Sequence, residues 1–129
     1  MNIESDSTMP FLFLDNASPL SQETYRLALI PCNVPDRNTL LDVYQQVLSF
    51  PDYFGRNWDA FDECMRDLSW IKDKRIAVVH GDLPLSLGEG KIYLEILRDA
   101  VVFWASEPDH VLEVTFPMQV KVDVLRRLG

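Results

Sequence analysis

The segment LSFPDYFGRNWDAFDECM, residues 48–65, combines a turn, a helix start and an amphipathic helix. Gly55 supplies backbone freedom, or a point where another backbone can come close. Asn57 is a good N-cap, because its side-chain oxygen can accept hydrogen bonds from amides of the first helical turn. Apolar residues then recur at helical spacing, at Trp58, Phe61, Met65 and Leu68. We therefore predict a helix that packs one side against a core.

The opposite side of this predicted helix is acidic. Asp59 and Glu63 are four residues apart and stack on one face, and residues 52–67 hold five acids against two arginines. Acids near a helix start complement the helix dipole. Arg66 can in addition pair with Asp62 or Glu63 at favourable spacing. An ordinary solvated helix face is therefore one interpretation of the segment.

A protein-binding surface is the other interpretation. Tyr53 and Phe54 precede the acidic face, and aromatic residues beside a charged patch are typical of interface anchors, although Tyr53 packed under its own helix fits the same pattern. The chain has 12 basic and 20 acidic residues and a formal charge of -8. Such a surface repels nucleic acid phosphates and attracts basic partners.

The rest of the chain predicts a compact α/β domain. A helix capped by Asp36 and ending before Pro51 precedes the segment, and a second helix follows at 91–106. Helix-length connections favour a small, mainly parallel sheet with helices packed on it. Two further segments are less regular: 11–14 can form a short edge strand, and the last twelve residues are expected to add an edge strand or stay loosely attached. Strands are predicted over residues 25–34, 75–81 and 111–116.

Length and composition narrow the class of protein. A chain of 129 residues is expected to form a single domain with its own core. The acidic start MNIESDST has no apolar signal-peptide region, and no apolar run is long enough for a membrane span, so we expect a cytoplasmic protein. Cys32 and Cys64 fit neither a disulfide framework nor a zinc site, and are predicted to be reduced, buried thiols.

The sequence contains few of the motifs that are typical of an enzyme active site. There is no glycine-rich phosphate loop and no nucleophile elbow, and the sequence suggests neither a cofactor nor a metal site. His80 and Asp82, in VVHGD, follow a predicted strand at the sheet end where α/β active sites often lie. A lone histidine in this position is more often structural, so we predict that the protein is not an enzyme.

The segment 48–65 resembles the signature of the barstar family, which are small intracellular inhibitors of secreted ribonucleases. The similarity extends more loosely over about residues 24–117 and leaves both ends of the chain uncovered. The residues that match in order and without gaps are Pro51, Tyr53, Phe54, Gly55, Asn57, Asp59, Ala60, Glu63 and Cys64.

The resemblance implies a fold with a three-stranded parallel sheet. It also implies that the helix after Asn57 and the loop before it enter the active site of a ribonuclease, where Asp59 and Glu63 imitate substrate phosphates. An acid on the next helix, Asp99, is expected to assist. The implied partner-binding site comprises Tyr53, Phe54, Gly55, Asn57, Asp59, Ala60, Asp62, Glu63 and Asp99.

The departures from the family pattern fall at residues that are expected to contact the target protein. Glu63 stands where the best-known member has aspartate, and Asp62 where it has tryptophan. A one-methylene change at an ionic contact alters specificity. Besides a ribonuclease inhibitor, two hypotheses therefore remain: an immunity protein that neutralises another toxin through the same face, and a small α/β enzyme that uses His80 and Asp82.

Overall fold

The computed structural model describes residues 10–14, 24–51 and 54–129. Within these ranges the chain forms four strands, four α-helices and one short 3-10 helix at Met118–Val120. The strands and helices are β1 (Leu12–Leu14), β2 (Arg26–Ile30), α1 (Arg37–Val47), α2 (Trp58–Met65), β3 (Arg75–His80), α3 (Leu87–Ala105), β4 (Val111–Pro117) and α4 (Lys121–Leu128).

The sheet has the order β1-β4-β3-β2, and each of the three neighbouring pairs is parallel. Leu12, Thr115, Val79 and Leu29 lie side by side in one row across all four strands. The predicted α/β class and the parallel sheet are confirmed, but the strand number of three is wrong. The additional strand is β1, three residues long, which pairs with β4 at the edge of the sheet and confirms the short edge strand expected at 11–14. Its partner lies about a hundred residues away in sequence, so no local pattern specifies the pairing.

The two predicted N-caps are present. The Asp36 carboxylate accepts a hydrogen bond from the Thr39 amide at 2.9 Å, and the Asn57 side-chain oxygen accepts one from the Ala60 amide at 2.8 Å. Because the caps satisfy amides that have no partner within the helix, they fix where α1 and α2 begin.

Indole and imidazole groups hold the segments on both sides of α2. Trp104 on α3 donates from Nε1 to the Met65 carbonyl at 2.8 Å, and His110 bridges the carbonyls of Leu68 and Asp73 at 3.0 and 2.9 Å. Trp70, which follows α2, donates from Nε1 to the carbonyl of Leu48, which precedes the helix, at 2.8 Å. These bonds satisfy backbone carbonyls outside regular ladders, so α2 is fixed relative to its neighbours.

The end of the chain differs from the prediction. Residues 118–129 form neither an edge strand nor a loose tail, because α4 packs against α3 and buries Val124 completely. Arg127 donates from Nη1 to the carbonyls of Pro84 and Leu85, at 3.2 and 3.1 Å. The extension is therefore an integral part of the folded domain.

The cysteines agree only in part with the prediction. Both are free thiols, but Cys32 is exposed rather than buried, because it lies in the loop after β2. Cys64 on α2 is half-buried, and burial, assisted by the negative charges of Asp67 and Glu63, raises its pKa to about 11. At neutral pH this thiol is therefore protonated and a poor nucleophile.

Candidate protein-binding site

The amphipathic character of α2 is confirmed. Phe61 and Met65 are fully buried, as is Leu68 just beyond the helix. Phe61 lies edge-on against Tyr44 of α1, with ring centroids 4.7 Å apart. The packing therefore fixes which side of α2 faces outward.

The outward side carries the acids that the sequence singled out. Asp59 and Glu63 are both exposed, one helical turn apart. Asp59 lies in the first turn, where the positive end of the helix dipole favours a carboxylate. The two carboxylates are thus presented to solvent from a rigid element rather than from a loop.

The other end of α2 has mixed charge. Arg66 makes a two-bonded ion pair with Asp62, with Nε–Oδ1 and Nη2–Oδ2 distances of 3.1 Å. Hydrogen bonding to Asp62 raises the pKa of Arg66, and the charges of Glu63 and Asp99 act in the same direction. Asp99 on α3 has an exposed side chain, and its Oδ1 lies 3.7 Å from Nε of the neighbouring Arg98.

The loop before α2 places Phe54 differently from an expected interface anchor. Phe54 is buried, and its ring lies edge-on against Phe50 with centroids 5.0 Å apart. The Phe54 side chain is therefore part of the core and is not presented at the surface. Tyr53, the other expected anchor, lies outside the described residues.

Gly55 and Ala60 belong to a close approach between this loop and α2. A Cβ atom on Gly55 would lie 3.3 Å from the Cβ of Ala60 and 3.6 Å from Nδ2 of Asn57. The loop conformation that needs unusual backbone angles occurs one residue later, at Arg56, whose φ is 59°. Of the two sequence-based explanations for Gly55, close approach is the one that the geometry supports.

Two residues at this site make contacts that were not predicted from the sequence. Trp58 donates from Nε1 to the Glu89 carboxylate of α3 at 3.2 Å, and Arg56 bonds to three groups of α1. All four contacts join residues more than ten positions apart, and none has a spacing that a single helix would impose. A sequence pattern therefore has no means of showing them.

A model of the family described as "Barstar (barnase inhibitor)" matches residues 27–116, which is more than half of the chain. The chain belongs to the barstar family. The matched range agrees with the similarity that the sequence shows over about 24–117, and it contains α1, α2 and α3. No curated protein and no solved structure matches the chain significantly.

The second candidate site in this barstar-family chain, around His80, has the character of a core contact. His80 is 4% exposed, and its ring stacks on Phe116 with centroids 4.0 Å apart. Its Nδ1 contacts the Thr115 carbonyl at 2.9 Å and its Nε2 contacts the Tyr93 hydroxyl at 2.7 Å. Both ring nitrogens are therefore engaged within the protein, and neither faces solvent. The geometry does not support the hypothesis of an enzyme that uses His80.

Asp82, the proposed companion of His80, has a structural contact of its own. One carboxylate oxygen accepts a hydrogen bond from the Asn33 amide at 3.1 Å. Over the residues that the structure describes, there is no group of three or more histidine, cysteine or acidic side chains placed to hold a metal ion. Over the same residues, no helix has both the length and the apolar character needed to cross a bilayer.

Proposed function

We propose that this protein is an intracellular, non-enzymatic inhibitor of a basic ribonuclease, and that α2 blocks the active-site cleft. The observation that carries the proposal is the pair of exposed carboxylates of Asp59 and Glu63 on a helix whose other side is fully buried. Membership of a family described as barnase inhibitors supports the same conclusion.

The chemistry of the pair suits a ribonuclease cleft. An enzyme that holds RNA needs basic side chains for the phosphates, and a carboxylate presents a similar negative charge to them. Arginine in particular forms two parallel hydrogen bonds with one carboxylate, which adds strength and geometric selectivity. Asp59 and Glu63 would occupy phosphate positions, and Asp99 would contact the cleft from the neighbouring helix.

The remaining residues of the proposed site would shape the surface. The Asn57 side chain caps α2, and Gly55 and Ala60 keep the loop close to the helix. Tyr53 is proposed to contact the partner on the strength of the family resemblance. Asp62 would lie at the edge of the contact surface, where a single charge affects the association rate more than the dissociation rate, and Phe54 would support the loop from the core.

The test is inhibition of purified basic extracellular ribonucleases by the wild type and by Asp59→Asn and Glu63→Gln. Each substitution keeps the side-chain shape and removes the charge. Because leaving a buried partner charge unpaired costs about 2–5 kcal/mol, we expect each variant to bind at least about thirtyfold more weakly. Asp123→Asn, which removes one exposed charge on α4 outside the family match, is the matched control and should bind nearly as the wild type.

Thermal unfolding of the variants checks that the substitutions leave the fold intact. Unchanged inhibition by both Asp59→Asn and Glu63→Gln would show that the acidic face of α2 is not the interface. Failure of the wild type to inhibit any ribonuclease, with retained binding to another basic toxin, would instead support the immunity-protein alternative.

A further inference from the structure

Arg56 lies inside the proposed binding segment but carries the charge opposite to that of the acidic face. By charge alone it would weaken attraction to a basic partner. The Arg56 side chain is 39% exposed, however, and its guanidinium hydrogen-bonds to groups of α1. The role of Arg56 is therefore to be sought in these contacts.

Three groups of α1 accept hydrogen bonds from this one side chain. Nη1 donates to Oε1 of Gln45 at 3.1 Å, and Nη2 donates to the Asn38 carbonyl at 3.4 Å. Nη2 also forms an ion pair with the Asp42 carboxylate. The planar guanidinium suits this task, because its several N–H groups point in fixed directions and reach more than one acceptor. The Asp42 carboxylate also neutralises the arginine locally.

The backbone of Arg56 needs such support. Its φ of 59° lies in the left-handed region, which costs energy for any residue with a Cβ atom and persists only where the surroundings hold it. On one side of Arg56 the buried Phe54 ring anchors the chain, and on the other side the Asn57 cap begins α2. Arg56 is the connection between this short segment and α1.

We infer that Arg56 is a positioning residue, which holds segment 54–57 against α1 and so fixes the start of α2 and Asp59 in the shape that the partner binds. The inference rests on the proposed function, because it assigns Arg56 a role at that interface. A segment ordered before association does not lose that conformational freedom on binding, and the complex dissociates more slowly as a result.

Arg66 provides a matched comparison. It carries the same charge in the same stretch of sequence. Its ion pair with Asp62, however, joins α2 only to the residue that caps its end, and connects no second helix or strand. If charge alone matters, Arg56→Ala and Arg66→Ala should both bind a basic ribonuclease slightly faster and dissociate at the wild-type rate. If Arg56 positions the segment, Arg56→Ala alone should dissociate faster, by about tenfold.

The experiment measures association and dissociation rates of the wild type, Arg56→Ala, Arg66→Ala and Arg56→Lys with an inhibited ribonuclease. Arg56→Lys keeps the charge but not the forked geometry, so we expect it to dissociate faster than the wild type. It also serves as the second variant if Arg56→Ala folds poorly. Equal dissociation rates for the wild type, Arg56→Lys and Arg66→Ala would overturn the inference.

Amide hydrogen exchange on the free protein separates this inference from the proposed function. The Phe54 amide donates to the Pro51 carbonyl at 2.9 Å, which should slow its exchange. We expect faster exchange of this amide in Arg56→Ala than in Arg66→Ala, whether or not a ribonuclease is bound. Faster exchange with no inhibition by the wild type would support the positioning contact and contradict the proposed function. Unchanged exchange would contradict the positioning role itself.

Discussion

At the scale of single residues, the core is organised around a chain of buried hydrogen bonds. The Tyr44 and Tyr93 hydroxyls lie 2.6 Å apart, and Tyr93 in turn contacts Nε2 of His80. Burial lowers the pKa of His80 to about 3, so the ring is neutral at pH 7. Because the Thr115 carbonyl only accepts, Nδ1 of the neutral ring donates to it, Nε2 accepts from Tyr93, and Tyr93 accepts from Tyr44. With a neutral histidine, the chain of bonds therefore has one direction.

This arrangement makes the stability of the protein depend on pH. Burial lowers the pKa of His80 to about 3, whereas an exposed histidine titrates near 6.5. As the pH falls below about 6.5, the unfolded chain binds a proton at this residue and the folded chain does not. The contribution of neutral His80 is therefore complete above pH 6.5 and is lost on acidification, by about 1.4 kcal/mol per pH unit and about 2 kcal/mol by pH 5.

Urea unfolding of the wild type and of His80→Gln between pH 7 and pH 5 tests this prediction. Glutamine cannot titrate, so the variant should lose less stability on acidification than the wild type does, even though it starts from a lower value. His110 is present in both proteins and cancels in the difference. Parallel pH profiles for the two proteins would show that His80 is not the group responsible.

At the scale of secondary-structure elements, the sequence is informative where the signal is local. The caps Asp36 and Asn57 and the stripe of Phe61, Met65 and Leu68 were predicted because each depends on residues within a few positions. The prediction for residues 118–129 was wrong for the opposite reason. The position of α4 depends on contacts with α3 and with residues 84 and 85, which lie about forty positions away.

The same docking explains only one of the two glycines at the start of α3. Gly88 has no atom within 4 Å of the place where a Cβ would be, whereas a Cβ on Gly90 would overlap Arg127 of α4. Alanine is favoured over glycine in a helix by up to about 1 kcal/mol. We expect Gly88→Ala to stabilise the protein by roughly 0.5–1 kcal/mol for this reason.

Gly90→Ala should not show that gain. To make room, Arg127 would have to leave the carbonyls of Pro84 and Leu85, and each such hydrogen bond contributes about 1 kcal/mol. The denaturation midpoints in urea should therefore place Gly90→Ala below Gly88→Ala by about 1 kcal/mol or more. Equal gains from both substitutions would mean that α4 is not held tightly at this position.

At the scale of the whole molecule, the proposed binding surface depends both on the fold and on the charge pattern of α2. The parallel sheet and the helices around it fix the orientation of α2, and the charge pattern of the helix then determines what that surface can bind. The pattern predicted Asp59 and Glu63 as exposed acids, because i and i+4 positions share a face. It could not predict the inward position of Phe54 or the link from Arg56 to α1, since both depend on tertiary packing.

The net charge of the whole chain, -8, leads to a kinetic prediction for the proposed complex. Long-range attraction between an acidic and a basic protein accelerates their encounter, and added salt screens it, because the Debye length falls from about 10 Å at 0.1 M to about 3 Å at 1 M. We expect the association rate constant with a basic ribonuclease to fall at least about tenfold over this range. The dissociation rate should change much less, because short contacts within the interface are screened weakly.

Stopped-flow measurements of association at several salt concentrations provide the test. Asp59→Asn and Asp123→Asn remove the same net charge, so both should reduce the slope of the logarithm of the rate constant against ionic strength by a small amount. Only Asp59→Asn should in addition raise the dissociation rate. A rate constant for the wild type that is independent of salt would show that the charge of the molecule does not guide it to its partner.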